Sequence, residues 1–248
     1  MYLGGNPNFG QSVKSGEYGC GTWHGNSFNR IYARPQDPQY TADVVNYVTQ
    51  ARSIAHSYGL ALIVNHSAGP LSSSAERQLL ANTDVVMDET GFSAYGRYPQ
   101  YNGAIVKEEL AYVRYAQEHG TGVLVIDKFA NKTHVDSAGL EYSLATYLLG
   151  NEGGMLLFTG GLNDYGTMQY HAEYGAAIGR PCSLAATSGS VYSRRFSGGM
   201  AVVNASGSTQ RFTLPSSGYH DIEGRGVSGT TLTLAPNDAY VLLGGSGC

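Results

Sequence analysis

Between residues 41 and 58, "TADVVNYVTQARSIAHSY", apolar side chains return at helical spacing (Val44, Val45, Val48, Ala51, Ile54, Ala55), and Gly59 follows as a stop signal. The next block, "LALIVNHSAG", is a short apolar run that ends in Asn65 and His66. The alternation then recurs. "SSAERQLLAN" predicts a short helix ahead of the strand "DVVMDE", and "AIVKEELAYVRYAQEHG", stopped by Gly120, a long helix ahead of "TGVLVIDKF". "SAGLEYSLATYLLGN" predicts a helix ahead of "GGMLLFTGG". Strands are therefore expected near 60–65, 84–88, 122–127 and 154–158, each preceded by a helix, all parallel and joined by right-handed crossovers.

After about residue 186 the helical period disappears. Short alternating runs separated by Gly, Ser, Asn and Pro predict a small antiparallel β-domain over 186–248, following an α/β part over 1–185. The first 40 residues are glycine-rich and aromatic without a clear period, and are expected to form a long loop around "GCGTWHGNSFNRIYARP". A loop of that length in a compact domain usually carries function.

The strand ends hold the chemistry. Each of the expected parallel strands closes on polar or small residues: Asn65-His66, Asp88-Glu89, Asp127-Lys128 and Thr159-Gly160-Gly161. In parallel α/β sheets and barrels, this C-terminal edge is the functional face. Asp88 and Glu89 are adjacent, so an extended backbone sends them to opposite sides, and one of the two faces the centre as acid, base or nucleophile. The competing reading puts both in a solvated turn. Asp127 takes the equivalent place one strand later, where a helix cap or a pair with Lys128 is the alternative. Asn65 and His66 fit hydroxyl binding, although a histidine at a strand end is more often structural. Trp23, with His24 beside it, and the loop tyrosines, Tyr95 among them, offer ring faces on which sugars stack; packing of the loop on the body is the alternative. Glu108 and Glu109 lie within a helix and are expected on its solvated face. No nucleophile elbow, phosphate loop, zinc spacing or dinucleotide fingerprint is present, and no metal or cofactor is expected.

Composition narrows the partners. A net charge of -4 with no dense Lys/Arg patch gives no footprint for nucleic acid. No apolar run reaches the roughly 18 residues of a membrane span, and "MYLGGNPNFGQS" does not read as a signal peptide. Charged residues are 14% against 34 glycines and 19 tyrosines, a balance suited to stacking and hydrogen bonding on a loop-rich surface. Three cysteines allow one disulfide, expected between Cys20 and Cys182 because Cys248 closes the tail "GGSGC". Glycosylation sequons occur at Asn65, Asn131 and Asn204, with Asn65 close against its strand.

"DVVNYVTQARSIAHSYGLALIVNHSAG", "ANTDVVMDETGFS", "SLATYLLGNEGGMLLFTGG", "YSRRFSGGMAVVNAS" and "LAPNDAYVLL" together resemble the glycoside-hydrolase-like TIM-barrel proteins, secreted proteins assigned to polysaccharide hydrolysis that carry a small C-terminal β-sandwich. The resemblance implies a partial β/α barrel followed by an antiparallel β-sandwich, a polysaccharide or oligosaccharide substrate, and carboxylates at the strand ends as acid and base. These fall on Asp88 or Glu89 and on Asp127. A full barrel has eight units and this chain supplies four, with "MYLGGNPNFG" reading as though it begins just after a strand. The glycosidase reaction needs two carboxyls, about 5–5.5 Å or about 6.5–9.5 Å apart. Three outcomes stay open: a second copy or another chain completes the barrel, an open sheet carries a different site, or catalysis is lost. The two functions carried forward are a carbohydrate-active hydrolase and a non-catalytic binding or self-assembling subunit.

Overall fold

In the computed structural model, residues 21–25, 27–30, 38–93, 103–129, 135–161, 170–246 and 248 are described. The segment read as one long loop contains a hairpin, β1 (Gly21–His24) against β2 (Ser27–Arg30), which sets Trp23 opposite Phe28 and His24 opposite Ser27. Gly25, at φ +59°, supplies the left-handed backbone that a two-residue hairpin turn requires. The strands of this hairpin, GTWH and SFNR, carry one large apolar residue each, too few to show a run or a period in the sequence.

The α/β part then follows the expected alternation: α1 (Pro38–Ser57), β3 (Ile63–Asn65), α2 (Ser74–Ala81), β4 (Val85–Asp88), α3 (Gly103–Glu118), β5 (Gly122–Phe129), α4 (Ser137–Gly150) and β6 (Met155–Gly161). The helix start at Pro38 uses a residue whose missing N–H costs nothing at a first turn. The four strands form a parallel sheet in sequential order, β3-β4-β5-β6, the order of a β/α barrel wall. The chain is thus α/β, a four-strand parallel sheet with helices followed by antiparallel sheets.

Register divides the sheet into two faces. Val86 aligns with Val123, and Val123 with Met155. With Val64 and Val125 these residues are buried in one cluster with Leu79, Val113 and Leu144 from the helices. The opposite parity, Ile63, Val85, Met87, Leu124, Ile126 and Leu156, looks away from the helices. That face is partly open: Ile63 is 48% and Leu156 65% exposed, both on the outer strands of the four.

The second part is a sandwich. β7 (Ala186–Ser188), β8 (Val191–Phe196), β9 (Gly199–Asn204), β11 (Tyr219–Asp221) and β13 (Ala239–Gly244) form a sheet in the order β11-β13-β9-β8-β7, and β10 (Gln210–Thr213) pairs with β12 (Thr231–Leu234). Alternation along β9 explains why all six of its residues are buried. Met200 and Val202 meet Leu232, Leu234 and Leu242 between the sheets, while Ala201 and Val203 join the cluster that holds α4. The α4 helix accordingly has apolar residues nearly all round, with Leu140, Tyr142, Leu144, Ala145 and Leu149 buried.

Arg194 locks this contact. Its guanidinium, almost fully buried, donates to the carbonyls of Leu148 and Asn151 at 3.0 and 2.7 Å and pairs with Glu152 at 2.9 Å. It thereby satisfies carbonyls that the end of α4 leaves without intrahelical partners. The disulfide departs from expectation: Cys182 bonds Cys248, with Cα atoms 5.9 Å apart, so the final residue is tied down. Proximity in sequence to a glycine-rich tail was no guide to where the chain returns. Asn204 is buried and its amide donates to the carbonyls of Ser208 and Ala235, so this sequon is spent on structure. No described helix is long and apolar enough to cross a membrane.

Candidate functional site

The polar residues at the C-terminal edge of the parallel sheet separate by face. His66, Asp88 and Asp127 turn toward the helices and are completely buried. Asn65 and Glu89 lie on the other face and are half-buried, and Lys128 shares their parity. Glu89 Oε1 is 3.7 Å from Lys128 Nζ, with the two side chains 28% and 6% exposed. The acid that looks toward the barrel side of the sheet is therefore Glu89.

Each buried group has a partner from the helix layer. His66 Nε2 meets both oxygens of Glu76 on α2, at 2.9 and 3.0 Å. Ser73 caps α2 by accepting from Glu76 N, as a capping box requires, but the Glu76 side chain serves the histidine instead of returning to the cap. Ser73 N donates to Pro70 O.

Asp127 holds the turn that leaves β4. Its Oδ1 accepts from Ser93 N at 2.7 Å, its Oδ2 accepts from the Ser143 hydroxyl on α4, and the Ser93 hydroxyl donates to Lys128 O at 2.6 Å. Burial pushes the Asp127 carboxyl up to about 6, against the hydrogen bonds from Ser143 and Ser93. Gly91 lets the turn approach this closely. Its φ is +57°, and a Cβ there would lie 2.8 Å from Asp127 Oδ1 and 2.9 Å from Ile126 O. Asp88 Oδ1 accepts from Thr90 N at 2.9 Å, closing the same turn from its other side.

Glu109 overturns the expectation of a solvated helix face. Glu108 is exposed, but Glu109 is buried and its carboxyl lies against that of Asp88. The signal was available: Val106, Glu109, Val113 and Ala116 follow the spacing of one helix face, and the other three are core residues. Burial, then the Asp88 charge, push the Glu109 carboxyl well above the usual carboxylate range, and burial also raises that of Asp88. Glu76 was missed for the same reason, since it shares the buried side of α2 with Leu79 and Leu80.

Trp23 and His24 lie on β1, and Tyr95 lies outside the described residues. Among the described residues no group of three or more His, Cys, Asp or Glu side chains is placed to hold a metal ion.

No protein family matches the chain, and no curated protein is similar to it in sequence. Among solved structures, a GH30 endoxylanase from Clostridium papyrosolvens C71 aligns with 12% identity and a TM-score of 0.38, over 83% of this chain and 61% of that one. The chain thus spans less than two thirds of that protein's length. A likeness at this level settles neither activity nor site.

Proposed function

We propose that the chain is a carbohydrate-active hydrolase in which Glu89 is the carboxylate that meets the glycosidic bond of a polysaccharide. One observation carries this reading: of the acids at the strand ends, Glu89 lies on the face away from the helices, half-buried, with the Lys128 ammonium 3.7 Å away and Asn65 on the same face. Asp88 and Asp127 then serve by holding its turn, and Asn65 is placed to bind hydroxyls. His66 fits as an indirect contributor through Glu76, while Trp23, His24 and Tyr95 are the proposed ring and imidazole contacts to sugar. Glycoside hydrolysis needs a second carboxyl on the far side of the bond, and a second copy closing the barrel is one source of it. The Cys182–Cys248 disulfide fits an oxidising, extracellular setting.

A second reading, a non-catalytic carbohydrate-binding or self-assembling subunit, draws on the exposed Ile63 and Leu156 on that same face. One experiment separates the two: sugar release from a panel of polysaccharides by the wild type and by Glu89→Gln, with mass in solution recorded alongside. For the hydrolase, Glu89→Gln lowers release on the order of 100-fold or more and leaves the melting temperature nearly unchanged. Full release by Glu89→Gln removes that residue from the chemistry. A wild type that forms a large assembly and releases nothing establishes the second reading.

A further inference from the structure

Asp88 on β4 and Glu109 on α3 face each other out of water. Asp88 Oδ2 and Glu109 Oε2 are both buried, and no N–H or O–H of a described residue donates to either. Two ionised carboxylates in contact at a buried site repel strongly, and each would leave an oxygen unsatisfied. One proton held between them answers both problems.

Among the described residues, the groups around the pair are engaged elsewhere or negatively charged, and the Gly91 N–H, like that of Thr90, serves the Asp88 carboxyl from the turn itself. From β3 and α2, His66 Nε2 is engaged by Glu76. From α3, Glu108 adds a like charge and the Tyr112 hydroxyl lies beside Glu76. From β5, Asp127 adds another negative group, itself occupied by Ser93 and Ser143. Lys128 points to the opposite face, toward Glu89. A cleft of about 470 Å³, lined by residues 68–71, Glu108, Glu109 and Ala111, opens over α3 beside the pair and brings solvent close to it.

The other oxygen of Asp88 fastens the turn through Thr90 N, one residue beyond Glu89. We propose that Asp88 and Glu109 form a one-proton latch on the turn at 88–93, closed while they share the proton and loosened when its loss sets two negative charges against each other. The latch stands on its own geometry, and its effect on turnover rests on the proposed role of Glu89.

Burial raises both carboxyls, so the folded state holds a proton that the unfolded chain releases at lower pH. Stability is therefore full at acid pH and falls as pH rises through the titration of the pair. The test follows melting temperature and amide hydrogen exchange at residues 90–93 from pH about 5 to about 9, for the wild type, Glu109→Gln and Asp88→Asn. Either amide supplies an N–H where the proton sits, so each variant should hold the turn protected at the alkaline end, where the wild type loosens. A variant whose turn loosens in parallel with the wild type overturns the latch. The wild type provides a second readout that needs no variant to fold. From pH about 5 to about 9, the infrared C=O band should report one buried carboxylic acid that titrates in addition to Asp127 (about 6) and Glu141 (about 7). Its absence also overturns the latch. Lack of sugar release with the band and the protected turn both present would sink the hydrolase reading and leave the latch standing.

Discussion

Gly91 shows how little freedom the turn after β4 has. A side chain at φ +57° costs about 1–3 kcal/mol through the backbone alone, and here its Cβ would also press on Asp127 Oδ1 and Ile126 O. Gly91→Ala should therefore lower stability by about 2 kcal/mol or more, read as a shifted urea midpoint with an unchanged slope. A midpoint equal to that of the wild type would show that the turn can move off Asp127 without penalty. The pair Asp88 and Glu89 also shows what a sequence can reveal at this scale. Alternation along the strand places them on opposite faces, and that was legible; which face holds the helices follows from the register of β4 with β5 and from the stripe on α3. Glu109 was misassigned for a related reason. A glutamate beside another in a helix reads as surface until its spacing from Val106 and Val113 is given more weight than its charge.

At the scale of elements, α4 and β13 meet through a titratable contact. Glu141 Oε1 accepts from Val241 N at 2.9 Å. Burial pushes this carboxyl up to about 7, opposed by the Val241 hydrogen bond and helped by Asp221, Asp238 and Glu223. An unfolded glutamate titrates near about 4.3, so this group lowers stability progressively as pH rises from there to about 7 and adds no further loss above it. Asp127 acts in the same direction up to about 6. The melting temperature should thus be higher at pH 5 than at pH 8, and Glu141→Gln should remove part of the difference; equal pH profiles for variant and wild type would discharge Glu141 from this role. Elements with a long period were the readable ones. The helices and parallel strands of 38–161 have regular apolar spacing or apolar runs, whereas β1 and β2 carry one large apolar residue each and are defined by their pairing with one another.

For the whole molecule, the disulfide and α4 decide how the parts hold together. The bond between Cys182 and Cys248 spans a sequence separation of 66 residues, for which restriction of the unfolded chain predicts a contribution of about 4 kcal/mol. Reduction should lower the calorimetric melting temperature by several degrees, and Cys248→Ser should melt like the reduced wild type. An unchanged midpoint on reduction would mean that the β-sandwich is indifferent to its tether. Disulfide partners were not legible in the sequence, because they depend on how far the sandwich folds back toward residue 182. The position of α4 has a consequence for anyone cutting the molecule. With the parallel sheet on one side, β9 and β13 on the other, and Arg194 of β8 gripping its last carbonyls, the helix is exposed only at Ser137 and Ala138 in its first turn. A piece ending before β7 would lay bare Leu144, Ala145 and their neighbours, and one beginning there would expose Ala201, Val203 and Val241. Each is a poor candidate for separate expression, and co-expressing the two pieces is the practical route to recovering either in soluble form.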